Sequence, residues 1–480
     1  MSSATTFDAL PVDVVREILA RVVREGGGAV PHAARLTCVS RTFRRAVEEA
    51  PEMFWIDVDL SHGFCAPTDA RMRACAKKGV FASVRRLNLS GCGKLTDATL
   101  RTLAESCESL EELTLSGGAF TRDGLFAFAD DLAGKCALRS IVVDVTSPKM
   151  TPADALAVLM RFIERNAATL ERIQCGREAP YAAPERRAFS NASNRLFDLV
   201  KTCGELRSLD LTNCGQDVRF PLFELQRGCP LLQELKLNGL GGESGWRIVG
   251  RVGEDFEETC WRDLRTLEVA VSMETTSVEH RYGHSNVNDE TMILMLYGSI
   301  ETIETLDITG CTHLGDWRNI VWDRLPVALT TLRCARTPLS SDDAAVAHIL
   351  THLCPALEVL ELACLGANAK NVTDAAFDAI MAFDGPRLPL RVLGVAGSNL
   401  TTEAVRRILA PHSRFANVRS IDLASCRSLA RELRRASLDT YPRDNVDAIR
   451  RALDVDESRD VLEEASRDRV KRPRAALDPS

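Results

Sequence analysis

Residues 84–92 read VRRLNLSGC, in which Leu87 and Leu89 alternate with polar neighbours and a cysteine closes the run. The same frame returns as LEELTLSGG from Leu110, LRSIVVDV from Leu138, LERIQC from Leu170, LRSLDLTNC from Leu206 and LQELKLNGL from Leu232. It continues as LRTLEVAV from Leu264, IETLDITGC from Ile303, LTTLRCA from Leu329, LEVLELAC from Leu357, LRVLGVAG from Leu390 and VRSIDLASC from Val418. The central apolar residues run from Leu87 to Ile421 and stand 26 to 39 residues apart.

Apolar and polar residues alternating with period two make a strand with one buried face. Each run is followed by a stretch with helical spacing, such as TDATLRTLAESC from Thr96 to Cys107. Helix starts are marked at Thr96-Asp97, Thr121, Thr151-Pro152, Ser341-Asp342, Thr373-Asp374 and Thr402-Glu403, where a hydroxyl or carboxylate can accept from unpaired first-turn amides. A unit of strand, turn and helix that recurs at this period is a leucine-rich repeat, and one such unit cannot bury its own apolar face. The pattern therefore predicts an α/β leucine-rich-repeat solenoid, a horseshoe of about twelve strand–helix repeats. Parallel strands about 4.8 Å apart would line a concave arc on the order of 50 Å long, a surface for a protein-sized ligand.

The 480 residues make one long array with small appendages, and 45% hydrophobic content supports a large core. A net charge of −7 argues against a general nucleic-acid binder. No basic region followed by an apolar stretch opens the chain and no run of about 18 apolar residues occurs, so no membrane association and a cytoplasmic or nuclear location are expected. The sixteen cysteines follow the repeat. Cys92, Cys214, Cys311 and Cys426 stand five residues past a central apolar residue, and Cys107, Cys203, Cys229 and Cys354 stand three before the next run, places for small buried thiols rather than disulfides.

Repeats with this cysteine placement and a "LTD" helix start resemble the cysteine-containing leucine-rich repeats of F-box proteins. Upstream, residues 7–60 read FDALPVDVVREILARVV, a glycine-rich break at Gly26 to Gly28, and AARLTCVSRTFRRAVEEAPEMFWIDVDLS. This stretch resembles an F-box: "LP", then a valine, then "IL", later a Leu/Cys-Val-Ser-Arg helix with Phe43 at the usual aromatic position, closed by Trp55. The residues support a small all-α unit in their own right. Pro11 suits a first helical position, and Val14, Val15, Ile18, Leu19, Val22 and Val23 make an apolar stripe, followed by Leu36, Val39, Phe43 and Val47. So short a segment cannot bury all of that surface internally. The plainer reading of the same residues is a helical cap for the array. The expected organisation is an F-box at 7–60, repeats at 61–426, and a charged cap and tail at 427–480.

The resemblance implies docking on the SKP-type adaptor of a cullin–RING (SCF) ubiquitin ligase, with Leu10, Pro11, Ile18, Leu19, Leu36, Val39 and Phe43 as adaptor anchors. The repeats would then select a protein substrate, and the ubiquitin chemistry would belong to other subunits. The rival reading is a repeat scaffold with no ligase role.

Residues flanking the central apolar positions project to the concave face. There Glu112, Asp144, Asp210, Glu234, Glu268, Asp307, Glu361 and Asp422 outnumber Arg86, Arg172, Lys236 and Arg333, so a substrate with a basic segment is expected. Long segments at Gly239 to Trp261 and Val271 to Asp289 follow their strands and should emerge at one rim. Trp246, Tyr282 and His284 on them, with Glu234, Glu268 and Asp307 on strands, are the candidate substrate contacts. Trp261, three residues before Leu264, suits packing instead, and Arg177 to Asn194 reads as a mobile loop.

His348 and His352 have zinc-ligand spacing, but a helix surface accounts for them equally. No phosphate loop, nucleophile elbow or His-Glu-x-x-His helix occurs, so no cofactor, metal or intrinsic catalysis is expected. The residues after Cys426 should include a helix closing the array, then a weakly ordered tail from about Asp454 in which Lys471-Arg472-Pro473-Arg474 resembles a nuclear-import signal.

Overall fold

The computed structural model describes residues 10–25, 36, 39–61, 67–144, 149–176, 182–241, 245–271, 287–314, 327–340, 342–363, 372–438, 441 and 443–454. They fall into two compact units, Met1–Arg262 and Asp263–Ser480.

The first unit contains β1 (Asp57–Asp59), β2 (Arg86–Asn88), β3 (Glu112–Leu115), β4 (Ser140–Val143), β5 (Arg172–Gln174), β6 (Ser208–Asp210), β7 (Val218–Phe220), β8 (Glu234–Lys236) and β9 (Trp246–Ile248). All but β7 and β9 pair in sequence order as one parallel ladder, with Val58, Leu87, Leu113, Ile141, Ile173, Leu209 and Leu235 in register. None of these seven is more than 2% exposed, so a single column of side chains forms the spine of the core. The second unit repeats the arrangement with β10 (Thr266–Glu268), β11 (Thr305–Asp307), β12 (Thr331–Arg333), β13 (Val359–Glu361), β14 (Val392–Gly394) and β15 (Ser420–Asp422). Its column is Leu267, Leu306, Leu332, Leu360, Leu393 and Ile421. Parallel strands joined through helices at this period make the chain an α/β leucine-rich-repeat solenoid.

β1 extends the ladder by a strand that the reading of 7–60 as all-helical missed. Ile56, Val58 and Leu60 alternate with Asp57 and Asp59, and Val58 pairs with Leu87. The first repeat thus begins inside the segment assigned to the helical module. Residues 177–194 are also not a loop throughout: Ala183–Val200 is a helix with Pro184 in its first turn, burying Phe189, Leu196, Phe197 and Val200. Its Ala, Arg and Glu content favours helix, and the phenylalanines supply the apolar face.

Helix starts at Thr96, Thr121, Thr373 and Thr401 use the expected chemistry and also join neighbouring repeats. The Thr96 hydroxyl accepts from Ala98 N in its own helix (3.3 Å) and donates to Asp69 of the preceding one (2.7 Å), which also receives Thr96 N (3.0 Å) and the Thr99 hydroxyl (2.5 Å). Thr121 binds Asp97 in the same way, Thr373 binds Asp343, and Thr401 binds Asp374, each through amide and hydroxyl at 2.6–2.9 Å. The cap of that last helix is Thr401, one residue before the expected Thr402. A hydroxyl both donates and accepts, so threonine can serve two repeats at once. Gly124 belongs to this seam, since a Cβ there would collide with the Asp97 carboxylate.

Burial pushes the Asp69 carboxyl up, but the hydrogen bonds from Thr96 and Thr99, together with the charge of Arg73, outweigh it and hold the group below its usual range. A depressed folded-state value means that this stabilisation is full above the ordinary carboxylate range and is lost as pH falls through the folded value. Asp69→Asn should therefore cost about 1–3 kcal/mol in urea unfolding at pH 7. The difference from wild type should shrink to nothing as the buffer is taken well below the ordinary carboxylate range.

The cysteines fill corners between repeats. Sulfhydryls of Cys92, Cys214, Cys311 and Cys426 point at the carbonyls of Leu60, Cys175, Val269 and Val395 one repeat earlier, at 3.3–3.5 Å. Every described cysteine is a free thiol. Burial pushes Cys107, Cys203, Cys229 and Cys354 up to about 12, which makes them inert packing groups. Trp261 packs as expected: it is 1% exposed, and its indole N–H donates to the Cys229 carbonyl at 3.0 Å.

Candidate protein-interaction surfaces

The N-terminal segment forms three described helices, Val12–Glu25, Arg41–Glu48 and Pro51–Phe54. Pro11 precedes the first, Ser40 caps the second by accepting from Phe43 N (3.1 Å), and Pro51 opens the third. They enclose a core of Val15, Leu19, Ala20, Val23, Phe43, Ala46, Val47, Ala50 and Phe54, against which Leu10 and Leu36 pack half-buried. Arg16 ties the first helix to the end of the second through Glu49.

The first helix is apolar on a second face. Val14 is 44% exposed, Ile18 37% and Val22 48%, and a spacing of four residues sets them in one line along the helix. Pro11 is also exposed, and Val39 is 65% exposed. This redistributes the seven expected anchors. Pro11, Ile18 and Val39 are at the surface and Leu10 and Leu36 are partly so, whereas Leu19 (3%) and Phe43 (9%) point into the module's own core. A buried side chain cannot also be a contact, so those two hold the helices that present the face. Val14 and Val22 belong to the face instead. The period of 3.6 placed all six apolar residues of this helix on one broad stripe but could not say which half of it packs inward.

The strand-face candidates are also sorted. Trp246 is not a rim residue: it is 5% exposed in the small β7–β9 sheet, with its ring edge-on to Phe220 at 5.5 Å, and Phe220 in turn meets Phe197 at 5.6 Å. Tyr282 and His284 lie outside the described residues, as do residues 455–480 with the basic run at Lys471. Asp307 is only 9% exposed, and burial pushes its carboxyl up. Its oxygen accepts from Thr309 N at 3.0 Å, as Asp59, Asp210 and Asp422 accept from the amide two residues on at 2.8–2.9 Å. An aspartate in this position turns the chain out of the strand, so its recurrence has a local structural cause. Glu234 is half-buried; burial raises its carboxyl, but the hydrogen bonds from Lys236 and Ser208 and the charges nearby outweigh that and keep it ionised. Glu268 remains half-exposed on β10.

His348 and His352 stack at 5.0 Å, and His352 meets the edge of Phe383 at 4.9 Å. Among the described residues, no three metal-ligating side chains come together.

At the far end, helix Arg431–Leu438 and a helix over 446–454 close the last strand. The Asn445 amide accepts from Ile421 N and donates to Ile421 O, both at 2.9 Å, and the Ser437 hydroxyl accepts from Leu423 N at 2.7 Å. Two side chains thereby imitate the strand that a further repeat would have supplied. Sequence reading found the closing helix but not Asn445, because nothing marks one asparagine among many polar residues.

No family model matches the chain. It is 28% identical over 113 residues to the F-box protein SKIP1 of Arabidopsis thaliana, a match covering 23% of this chain and 37% of that protein. Among solved structures, a chain of the Rad7 and Elc1 complex in yeast aligns over 88% of both chains with a TM-score of 0.41 and 16% identity. An internalin from Listeria monocytogenes aligns over 80% of this chain and 92% of its own, with a TM-score of 0.35 and 13% identity. The ladders of parallel strands make the chain a leucine-rich-repeat solenoid, and over about a quarter of its length it is similar in sequence to an F-box protein.

Proposed function

We propose that this chain is the substrate-recognition subunit of an SCF ubiquitin ligase. The N-terminal module docks on an SKP-type adaptor, and the strand faces of the repeats hold a protein substrate. The observation that carries this reading is the exposed line of Val14, Ile18 and Val22, with Pro11 and Val39, on a module whose own core is already filled. An apolar line that internal packing does not need is a surface for a partner. Covering what remains exposed of each of the three would contribute roughly 1 kcal/mol before ordering costs. The similarity to an F-box protein supports the choice of an SKP-type partner.

The chain performs no chemistry in this role; it holds substrate near the enzyme that transfers ubiquitin, which raises effective concentration. On the second unit, Glu268, Glu361 and Asp422 still outnumber Arg333 once Asp307 is withdrawn, which supports a substrate with a basic segment. The cytoplasm or nucleus, where such ligases work, is the proposed location.

Purified full-length chain mixed with an SKP-type adaptor should elute as a 1:1 complex that then retains a cullin. Absence of adaptor binding at tens of micromolar would leave a leucine-rich-repeat scaffold with no ligase role.

A further inference from the structure

On β10 to β15 the residues just after the buried column are Glu268, Asp307, Arg333, Glu361, Gly394 and Asp422. They form the row that a ligand lying across the second unit's strand face would meet. Gly394 alone in that row has no side chain, and the space above it is occupied from elsewhere. The Tyr441 hydroxyl donates to Glu361 Oε1 at 3.1 Å, across 80 residues of sequence, and a Cβ on Gly394 would stand 3.4 Å from that hydroxyl. Glu361 Oε2 lies 3.2 Å from Arg333 Nε, so the three side chains form a chain over β12, β13 and β14.

Tyr441 follows the closing helix Arg431–Leu438, and its amide donates to Ser437 O at 3.1 Å. The closing segment is thus held at two depths. Ser437 and Asn445 are buried against β15 (0% and 1% exposed), while Tyr441 reaches forward and is fastened by one side-chain hydrogen bond. Burial, with the carboxylates of Glu361 and Asp422 nearby, pushes the phenol above its ordinary value, so it remains a neutral donor.

We infer that Tyr441 is an internal occupant of the second unit's ligand-facing strand surface, which a protein partner must displace to reach Glu361 and the gap at Gly394. The inference rests on the proposed reading that this face takes the substrate. It assigns the closing segment a second role, as a competitor that lowers affinity for any partner using this stretch.

The test uses the full-length chain and a fluorescein-labelled nona-lysine peptide at low salt, because displacement frees a carboxylate. Tyr441→Ala should bind the peptide about 5-fold more tightly than wild type, since the open state no longer has to be populated first. Tyr441→Phe, which keeps the ring without the hydrogen bond, should fall between them. Adding Glu361→Gln to Tyr441→Ala should remove the gain. Unchanged affinity in both Tyr441 variants, or a gain that survives Glu361→Gln, would overturn the inference. Adaptor capture measured on the same variants should match wild type; its failure in wild type would sink the ligase role while leaving the peptide result to be judged alone.

Discussion

Aspartate at Leu19 should unfold the N-terminal module, whereas aspartate at its neighbour Ile18 should leave it folded and remove its partner. Leu19 is 3% exposed, packed with Val15, Val23, Phe43 and Phe54. A carboxylate there has no cation among the side chains of the core, and the cost exceeds about 4 kcal/mol, enough to melt a helical unit of this size. Ile18 is 37% exposed and Val14 44%, so Val14→Asp with Ile18→Asp should change stability by less than about 1 kcal/mol. Two lost contacts of roughly 1 kcal/mol each, together with two carboxylates set against an apolar partner face, should weaken adaptor binding by more than about 100-fold. Hydrogen exchange over residues 12–54 separates the two mechanisms: protection should vanish in the Leu19 variant and persist in the double variant. Full adaptor affinity in the double variant would mean that docking uses another face.

Asn445→Ala should open the edge of the last strand and destabilise the second unit. The asparagine satisfies both Ile421 N and Ile421 O and also donates to Ser437 O at 3.3 Å, and none of these groups reaches water. Without it Ile421 O keeps the Ser437 hydroxyl at 2.9 Å but Ile421 N is left unpaired, and a buried unpaired amide costs about 1–3 kcal/mol. The expected loss is roughly 1–3 kcal/mol, concentrated in the second unit. The released strand edge offers a template for another chain, so the variant should also self-associate with rising concentration in light scattering while wild type stays monodisperse. Asn445→Asp should recover only the Ile421 N contact and remain destabilised, because a carboxylate cannot donate to Ile421 O.

The repeats were legible because a strand period of two and a recurring leucine frame are enforced by burial at every position. All twelve expected central residues, Leu87 to Ile421, occupy the middle of a strand. Features decided by three-dimensional packing were not. The first helix is apolar on both sides, so its outward line could not be told from its inward one until Phe43 and Phe54 filled the inner side. Trp246 looked like a loop aromatic because β7 and β9, three residues each, are too short to show a period. Tyr441 lies 80 residues from Glu361, and no local pattern reports so distant a contact.

The threonine–aspartate seams bear on how such an array can change in length. Asp97 accepts from Thr121 ahead of it while Thr96, in the same repeat, donates to Asp69 behind it. The modules whose helices start at Thr96 and Thr373 therefore each carry one plug and one socket of the same kind. A tandem duplication of such a module would find both fittings already waiting, whereas a cut through the helix start would strand one of each. Gene-level growth and loss of these repeats should accordingly proceed in whole units, with break points in the stretches between a helix end and the following strand.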